Sequence, residues 1–219
     1  MKIRTEIYAS ELIGRRWLSQ KSFEIILKKP TSFGYLPGQW LRLVHQGIER
    51  DYSLVSAPAD PNLALCIRHI KDGILSPALK SVPIGSRINF NGPHGYFTFK
   101  PSARQAIFVA TGTGLAPFVS MARSGVTGFS LLHGVRAASD TYYASELKAA
   151  AKSYVACVSE TDTVPDNQFQ GRVTDYLKDN LRPGSYDFYL CGRREMIRDV
   201  TFLVDEKFPG SLIFTEIFF

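Results

Sequence analysis

Ala106-Ile107-Phe108-Val109-Ala110-Thr111-Gly112-Thr113-Gly114-Leu115-Ala116-Pro117 runs from an unbroken apolar segment into a glycine-spaced turn. An apolar run of this length, closed by a glycine turn, is the pattern of a strand covered on both faces. The residues that follow, LAPFVSMAR, have helical spacing, so the stretch predicts a strand, a tight turn and a helix.

The pattern repeats toward the C-terminus. FSLLHGVR, SYVACVSE, DFYLCGR and SLIFTEIFF are predicted strands, and TYYASELKAAAK, RVTDYLKDNL and REMIRDVTFLVDEKF the helices between them. Strand–helix alternation with apolar strands predicts a parallel sheet sandwiched by helices. Toward the N-terminus the character changes. IRTEIYASEL, SFEIILKK, QWLRLVHQ, RDYSLVSA, LALCIRHI and SRINFNG are short and often alternate, separated by breakers such as PTSFGYLPG and APADPN. Six such strands predict an antiparallel barrel, with one helical insertion over residues 76–81. The switch near residues 97–104 divides the chain into an N-terminal six-stranded antiparallel β-barrel, 1–99, and a C-terminal α/β parallel-sheet nucleotide-binding domain, 104–219.

Composition narrows the function. The 219 residues are 45% hydrophobic and 21% charged, an ordinary globular balance that argues against disorder. No apolar run approaches the roughly 20 residues a membrane helix needs, and the first residues contain no continuous apolar signal core, so a cytoplasmic protein without a membrane partner is expected. Cys66, Cys157 and Cys191 are the only three cysteines. They suit neither a disulfide framework nor a zinc site, and cannot supply the four ligands of an iron–sulfur cluster; no metal is expected. Residues 1–100 hold 14 Lys and Arg against 7 Asp and Glu, whereas residues 101–219 hold 12 against 13. The basic first half is either a solvated surface or a face for a phosphate-bearing ligand or acidic protein. No nucleic-acid signature accompanies it.

Five short stretches carry candidate chemistry. Thr111-Gly112-Thr113-Gly114, with Pro117, sits at a strand's carboxyl end and opens a helix, where open α/β sheets bind ligands and N–H groups favour a pyrophosphate. Arg50-Asp51-Tyr52-Ser53 ends a barrel strand. It admits two readings, an exposed arginine with a half-buried tyrosine, or a guanidinium, ring and hydroxyl for the pyrophosphate, isoalloxazine and N5 of a flavin nucleotide. Gly73-Ile74-Leu75-Ser76 is a second glycine turn entering a helix. Leu190-Cys191-Gly192-Arg193 places a thiol at the same sheet edge as Thr111, or simply a small core residue. In Glu216-Ile217-Phe218-Phe219, two-residue periodicity puts Glu216 and Phe218 on one face.

In this order the five stretches resemble the ferredoxin–NAD(P)+ reductase superfamily across essentially the whole chain. The resemblance implies FAD on the barrel and a nicotinamide nucleotide on the α/β domain. It implies that Arg50, Tyr52 and Ser53 hold the flavin, with Cys66, Ile67 and Arg68 beside its pyrophosphate and Gly73 to Ser76 completing that site. Thr111, Gly112, Thr113, Gly114 and Pro117 would bind the nicotinamide nucleotide's phosphates. Cys191, with Gly192, and Glu216 would flank the nicotinamide, and Phe218 would cover the flavin, although Phe219 follows it where relatives of the plant type end. Ser53, Cys191 and Glu216 are thus the expected catalytic residues.

The implied reaction takes a hydride from NAD(P)H to FAD and sends single electrons to a ferredoxin, a flavodoxin or an oxygenase component. An NAD(P)H:flavin reductase, and a nucleotide-binding subunit of a redox complex with little turnover, are the alternatives. Arg136 and Arg172 are candidate ligands for a 2′-phosphate. Members that use NADPH often carry V-S-R-E, whereas here Val158-Ser159 precedes Glu160, so NADH is favoured over NADPH. The acceptor and oligomeric state are left open.

Overall fold

The computed structural model describes residues 6–160 and 168–218, Phe218 through its backbone alone. Phe219, an alternative to Phe218 as flavin cover, lies outside the described residues. The chain forms two compact units, Met1–Thr98 with Ala116–Ser124, and Phe99–Leu115 with Gly125–Phe219.

The first unit is built on β1 (Ile7–Ser19), β2 (Ser22–Lys28), β3 (Trp40–His45), β4 (Ile48–Ser53), β5 (Asn62–Arg68) and β6 (Arg87–His94). They form one antiparallel sheet in the order β4-β3-β6-β1-β2-β5. The sheet curls until its two ends meet: Leu54 bridges Leu65, and the Val55 N–H donates to the Ala64 carbonyl at 2.8 Å. Closure removes the edges that an open sheet would expose. The inward residues of the alternating strands, among them Leu12, Phe23, Ile25, Leu41, Leu65 and Phe90, make one apolar core.

β1 is longer than its sequence suggests. It pairs with β6 through Ile7–Glu11 and with β2 from Leu12 to Ser19, with a register shift at Gly14. A Cβ at Gly14 would come within 3.3 Å of Ile26 Cδ1, so the glycine serves close strand approach rather than a turn. The insertion after β5 is the short helix α1 (Leu75–Ser81).

In the second unit, β7 (Gln105–Thr111), β8 (Ser130–Val135), β9 (Ser153–Val158), β10 (Gln168–Gln170), β11 (Tyr186–Arg193) and β12 (Leu212–Phe218) form a parallel sheet in the order β10-β9-β8-β7-β11-β12. The helices α3 (Ala144–Ala150), α4 (Val173–Asn180) and α5 (Arg194–Lys207) provide its crossovers. Ile107, Val109, Phe188, Leu190, Val200 and Val204 are in its core. At the foot of β11 the buried Asp187 accepts hydrogen bonds from Ser102 Oγ and Arg104 Nε. The charge is thereby paired where water is excluded.

Between β7 and β8 stands α2 (Ala116–Arg123), entered through a 3-10 turn over Gly112–Leu115. Although it continues from the second unit's first strand, α2 belongs to the first unit. Ala116 to Met121 are all buried. Ser120 Oγ donates to the Ser56 carbonyl at 2.6 Å, Arg123 Nη1 to the Val55 carbonyl at 3.2 Å, and Phe118 meets Phe97 edge-on.

Candidate functional site

In the first unit, β4 delivers Arg50-Asp51-Tyr52-Ser53 to the barrel rim, opposite Leu43, Arg42, Leu41 and Trp40 of β3. Burial deepens along the four residues, from the exposed Arg50 and Asp51 through the half-buried Tyr52 to the buried Ser53. Arg50 is exposed, and its Nη1 donates to the Glu49 carbonyl at 2.7 Å. Tyr52 packs against the barrel core, and burial pushes its phenol up to about 12 against the opposing pull of Arg50. A cation therefore stands beside a ring that stays neutral at physiological pH. Ser53 is buried. Asp51 is taken up by Arg42, which grips both carboxylate oxygens at 2.7 and 3.0 Å. That fork makes Asp51 a brace for β3 and β4.

Cys66, Ile67 and Arg68 lie on β5 opposite Glu24, Phe23 and Ser22. Cys66 and Ile67 point into buried surroundings while Arg68 is exposed. The chain then turns through Gly73, whose N–H donates to the Ile70 carbonyl at 3.0 Å, and Ser76 Oγ accepts the Ile70 N–H at 2.9 Å. Ile74 and Leu75 lead into α1, which touches β4. Ser76 thus closes its own loop, and α1 is set against the strand carrying Tyr52. The exposed Arg50 guanidinium and the half-buried ring beside it fit a flavin nucleotide.

In the second unit, the candidate residues gather at the carboxyl edge of three adjacent strands, β7, β11 and β12. Cys191 is opposite Ala110 on one side and Glu216 on the other. The Thr111 hydroxyl accepts the Arg193 N–H at 2.9 Å. Gly192, at φ +137°, leaves no room for a side chain, since a Cβ there would fall 2.2 Å from Thr111 Oγ1. The two glycines of the turn do different work. A Cβ on Gly114 would fall 2.3 Å from the Cys191 carbonyl oxygen, so Gly114 lets the turn press against the end of β11. Gly112, at φ +53°, faces open space and is the one that leaves the backbone accessible. The sequence assigned phosphate approach to both. Pro117 lies buried at the start of α2.

Cys191 is wholly buried, and burial, reinforced by the negative Glu216, holds its thiol well above the usual range. It is a neutral packing group and neither a nucleophile nor a proton donor at ordinary pH. The open Gly112 backbone, tied from behind through Thr111 to Arg193, and the Glu216 carboxylate fit a nucleotide whose phosphates meet main-chain N–H groups. Arg136, just after β8, pairs with Glu160, just after β9, at 3.2 Å, and the Glu160 N–H donates to the Arg136 carbonyl. Arg172 is the residue before α4, its N–H bound to Asp175 Oδ2 at 2.9 Å. Only the backbone of Phe218 is described; it lies opposite Arg193.

His133 went unremarked in the sequence. It is wholly buried on β8 between Ala110 and Ala156, its Nδ1 3.0 Å from the Tyr154 hydroxyl. The signal was a lone polar side chain in the apolar strand SLLHGV, one residue before the glycine opposite Thr111.

Comparison with known proteins bears on the family and the fold. Residues 12–99 match the oxidoreductase FAD-binding domain and residues 108–201 the oxidoreductase NAD-binding domain. The chain is 32% identical over 163 residues to ferredoxin--NADP reductase B of Sorangium cellulosum, covering 68% of this chain and 67% of that one. It is 30% identical over 210 residues to the toluate 1,2-dioxygenase electron transfer component of Pseudomonas putida, covering 89% of this chain and 62% of that protein. A ferredoxin NADP+ reductase from Neisseria gonorrhoeae, solved with bound FAD and NADP, superposes with a TM-score of 0.84 at 24% identity, covering 99% of this chain and all of the other. The chain belongs to the ferredoxin–NAD(P)+ reductase superfamily. It contains the FAD-binding and pyridine-nucleotide-binding domains of that oxidoreductase family, and spans about 62% of the length of two dioxygenase electron transfer components that it matches. Among the described residues no helix is long and apolar enough to cross a membrane.

Proposed function

We propose that this chain is a reductase that takes a hydride from NADH onto FAD and delivers the electrons singly to a small acidic carrier of the ferredoxin or flavodoxin type, or to an oxygenase component. One observation carries the reading: the T-G-T-G turn, Cys191 and Glu216 share the carboxyl edge of three adjacent strands in a domain of this family. Bound FAD supplies the conversion of a two-electron hydride into two one-electron steps.

The chain's residues bind and orient. Arg50 neutralises pyrophosphate charge, Tyr52 offers a neutral ring face and Ser53 a hydroxyl for N5. Cys66 to Arg68 and Gly73 to Ser76 hold the remainder of the flavin nucleotide. The open backbone at Gly112 and Thr113 receives the pyridine nucleotide's pyrophosphate. Cys191 limits how deeply the nicotinamide ring sinks, and Glu216 hydrogen-bonds its carboxamide.

The Arg136–Glu160 pair supports NADH as donor. A guanidinium already committed to a carboxylate is a poor ligand for a 2′-phosphate, whereas an acidic residue at a strand end suits ribose hydroxyls. The basic first half of the chain suits an acidic carrier.

The test is anaerobic stopped-flow bleaching of the flavin with NADH and NADPH at equal concentration. Turnover is then measured with a plant-type ferredoxin and with free FMN at ~0.02 and ~0.5 M salt. Faster bleaching by NADH and a salt-sensitive ferredoxin rate are expected. A salt-insensitive rate found only with free FMN would make the protein a flavin reductase, and a colourless protein inert to both nucleotides would make it a non-catalytic subunit.

A further inference from the structure

Arg193 stands where β11 ends and α5 begins, two residues beyond Cys191 and opposite Phe218 on the ladder to β12. Its backbone is fixed. The Arg193 N–H donates to the Thr111 hydroxyl at 2.9 Å, and the preceding Gly192 leaves no space beside Thr111 for a side chain. The root of the arginine is thereby pinned against the first residue of the T-G-T-G turn.

The side chain, by contrast, is exposed, and among the described residues its guanidinium has neither a carboxylate nor a hydrogen-bond partner. Other arginines of this unit are committed, Arg104 to Asp187, Arg136 to Glu160 and Arg198 to Asp199. Nor does local structure call for a cation here. Arg193 is the N-cap residue of a 14-residue helix and makes no side-chain cap bond. Ser, Thr, Asp or Asn would satisfy an open N–H at that position, and a positive charge opposes the helix dipole. A residue that departs from the local rule while its backbone is held in place points to a use outside the helix.

Position sets that use. In the reading above, Cys191 and Glu216 meet the nicotinamide, and the T-G-T-G backbone meets the pyrophosphate. Arg193 adjoins both, one side-chain row beyond Cys191, roughly 7 Å along the strand, and tied to Thr111. One sugar away from the nicotinamide ring of a pyridine nucleotide is the first phosphate of its pyrophosphate. A guanidinium offers phosphate oxygens two parallel N–H donors and a full charge, which a single backbone N–H does not.

We propose that Arg193 is a further binding residue of the pyridine-nucleotide site, its guanidinium taking the phosphate on the nicotinamide side of the pyrophosphate. The inference rests on the nucleotide-site reading above. It divides the ligand in two: the phosphate of the adenosine half has no need of Arg193.

The test uses the FAD-loaded full chain. ADP-ribose, which carries both phosphates, and AMP, which carries only the one on the adenosine side, are titrated by calorimetry. NADH is followed through half-saturation of flavin reduction. Arg193→Gln is expected to weaken ADP-ribose and NADH by about tenfold or more, the loss of a charge-assisted hydrogen-bond pair, and AMP by no more than about twofold. Arg193→Lys keeps the charge without the fork, and a three- to fivefold loss for ADP-ribose is expected. Arg194→Gln removes the same charge one residue on, where no bond to Thr111 holds the backbone, and is expected to bind all three within about twofold of the parent. Without ligand, Arg193→Gln is expected to melt no lower than the parent, because a cation has left the positive end of a helix.

Parent-like affinity for ADP-ribose in Arg193→Gln, an equal loss for AMP, or an equal loss in Arg194→Gln would each overturn the proposal while leaving the nucleotide site intact. A lowered melting point in ligand-free Arg193→Gln would make the residue structural and overturn it as well. If the parent protein itself bound neither ADP-ribose nor NADH, the nucleotide-site reading would fall, and this inference with it. Should Arg193→Gln not fold, the loss for ADP-ribose relative to AMP in Arg193→Lys decides.

Discussion

Gly114 and Cys191 are locked backbone to backbone: a single methyl on the glycine would stand 2.3 Å from the Cys191 carbonyl oxygen. The neighbouring Gly112 has open space around it and only its positive φ to restrict substitution. Gly114→Ala is therefore expected to destabilise the second unit by about 1–3 kcal/mol through overpacking and to weaken NADH binding. Gly112→Ala is expected to cost about 1 kcal/mol, from the left-handed backbone alone. Thermal unfolding and NADH titration of both variants check the contrast, which reverses if Gly112→Ala proves the more damaging.

The ion pair at the base of β11 is asymmetric. Asp187 is 4% exposed and Arg104 is 35% exposed. Removing the arginine strands a carboxylate in a dry environment with Ser102 as its remaining hydrogen-bond donor of the pair of side chains. Removing the aspartate leaves a guanidinium that can reach water. Arg104→Ala is expected to cost about 3 kcal/mol and Asp187→Ala about half as much, measured as unfolding free energies in urea.

The same interior sets a pH dependence. His133 is held neutral, its pKa lowered from 6.5 to about 4 by burial, with the Gly112 backbone and Asp140 opposing. Tyr154, whose hydroxyl meets the ring, is neutral throughout, its phenol raised by burial. The unfolded chain takes up a proton below pH 6.5 that the folded chain refuses until about 4. The contribution is therefore complete above pH 6.5 and is lost as pH falls through that interval, by about 3 kcal/mol in all. Subtracting the pH–stability curve of His133→Gln from that of the parent isolates this loss. A difference that stays constant between pH 7 and 4 would contradict it.

Much of this arrangement was legible in the chain because local pattern and tertiary role coincide. The run Ile107–Ala110 is apolar because both faces of β7 are covered, and the antiparallel strands alternate because one face looks into the barrel. What escaped notice lacked such agreement. Gly14 reads as a break but sits inside β1, where its missing side chain admits Ile26. β10 is a three-residue strand, Gln168–Gln170, too short for its pattern to stand out, held by pairing with β9. Helical spacing identified α2, yet which core its buried face joins depends on Ser56 and Val55, some 60 residues earlier. His133 was silent because one histidine in an apolar strand gains meaning only from the tyrosine and turn folded around it.

On the proposed reading, donor preference follows from the carboxylate paired with Arg136. Releasing that guanidinium by Glu160→Ala removes both a competitor for its charge and an acceptor for ribose hydroxyls. The kcat/KM ratio of NADPH to NADH is expected to rise about tenfold, roughly 1.4 kcal/mol of differential transition-state binding. An unchanged ratio would mean that Arg136 does not meet the 2′-phosphate.

Ser53 and Glu216 test the hydride step itself. Ser53 is buried at the end of β4, and Glu216 is opposite the neutral Cys191. Ser53→Ala and Glu216→Ala are each expected to slow flavin reduction by NADH at least tenfold, about 1.4 kcal/mol or more in the barrier, while FAD stays bound. For Glu216→Ala a further consequence separates its role: the negative charge that raises the Cys191 thiol is gone, so that thiol shifts downward toward its ordinary range, with burial still holding it up. Stopped-flow reduction checks the rates, and flavin absorbance after gel filtration checks retention. Parent-like rates in both variants would remove these residues from the transfer of hydride.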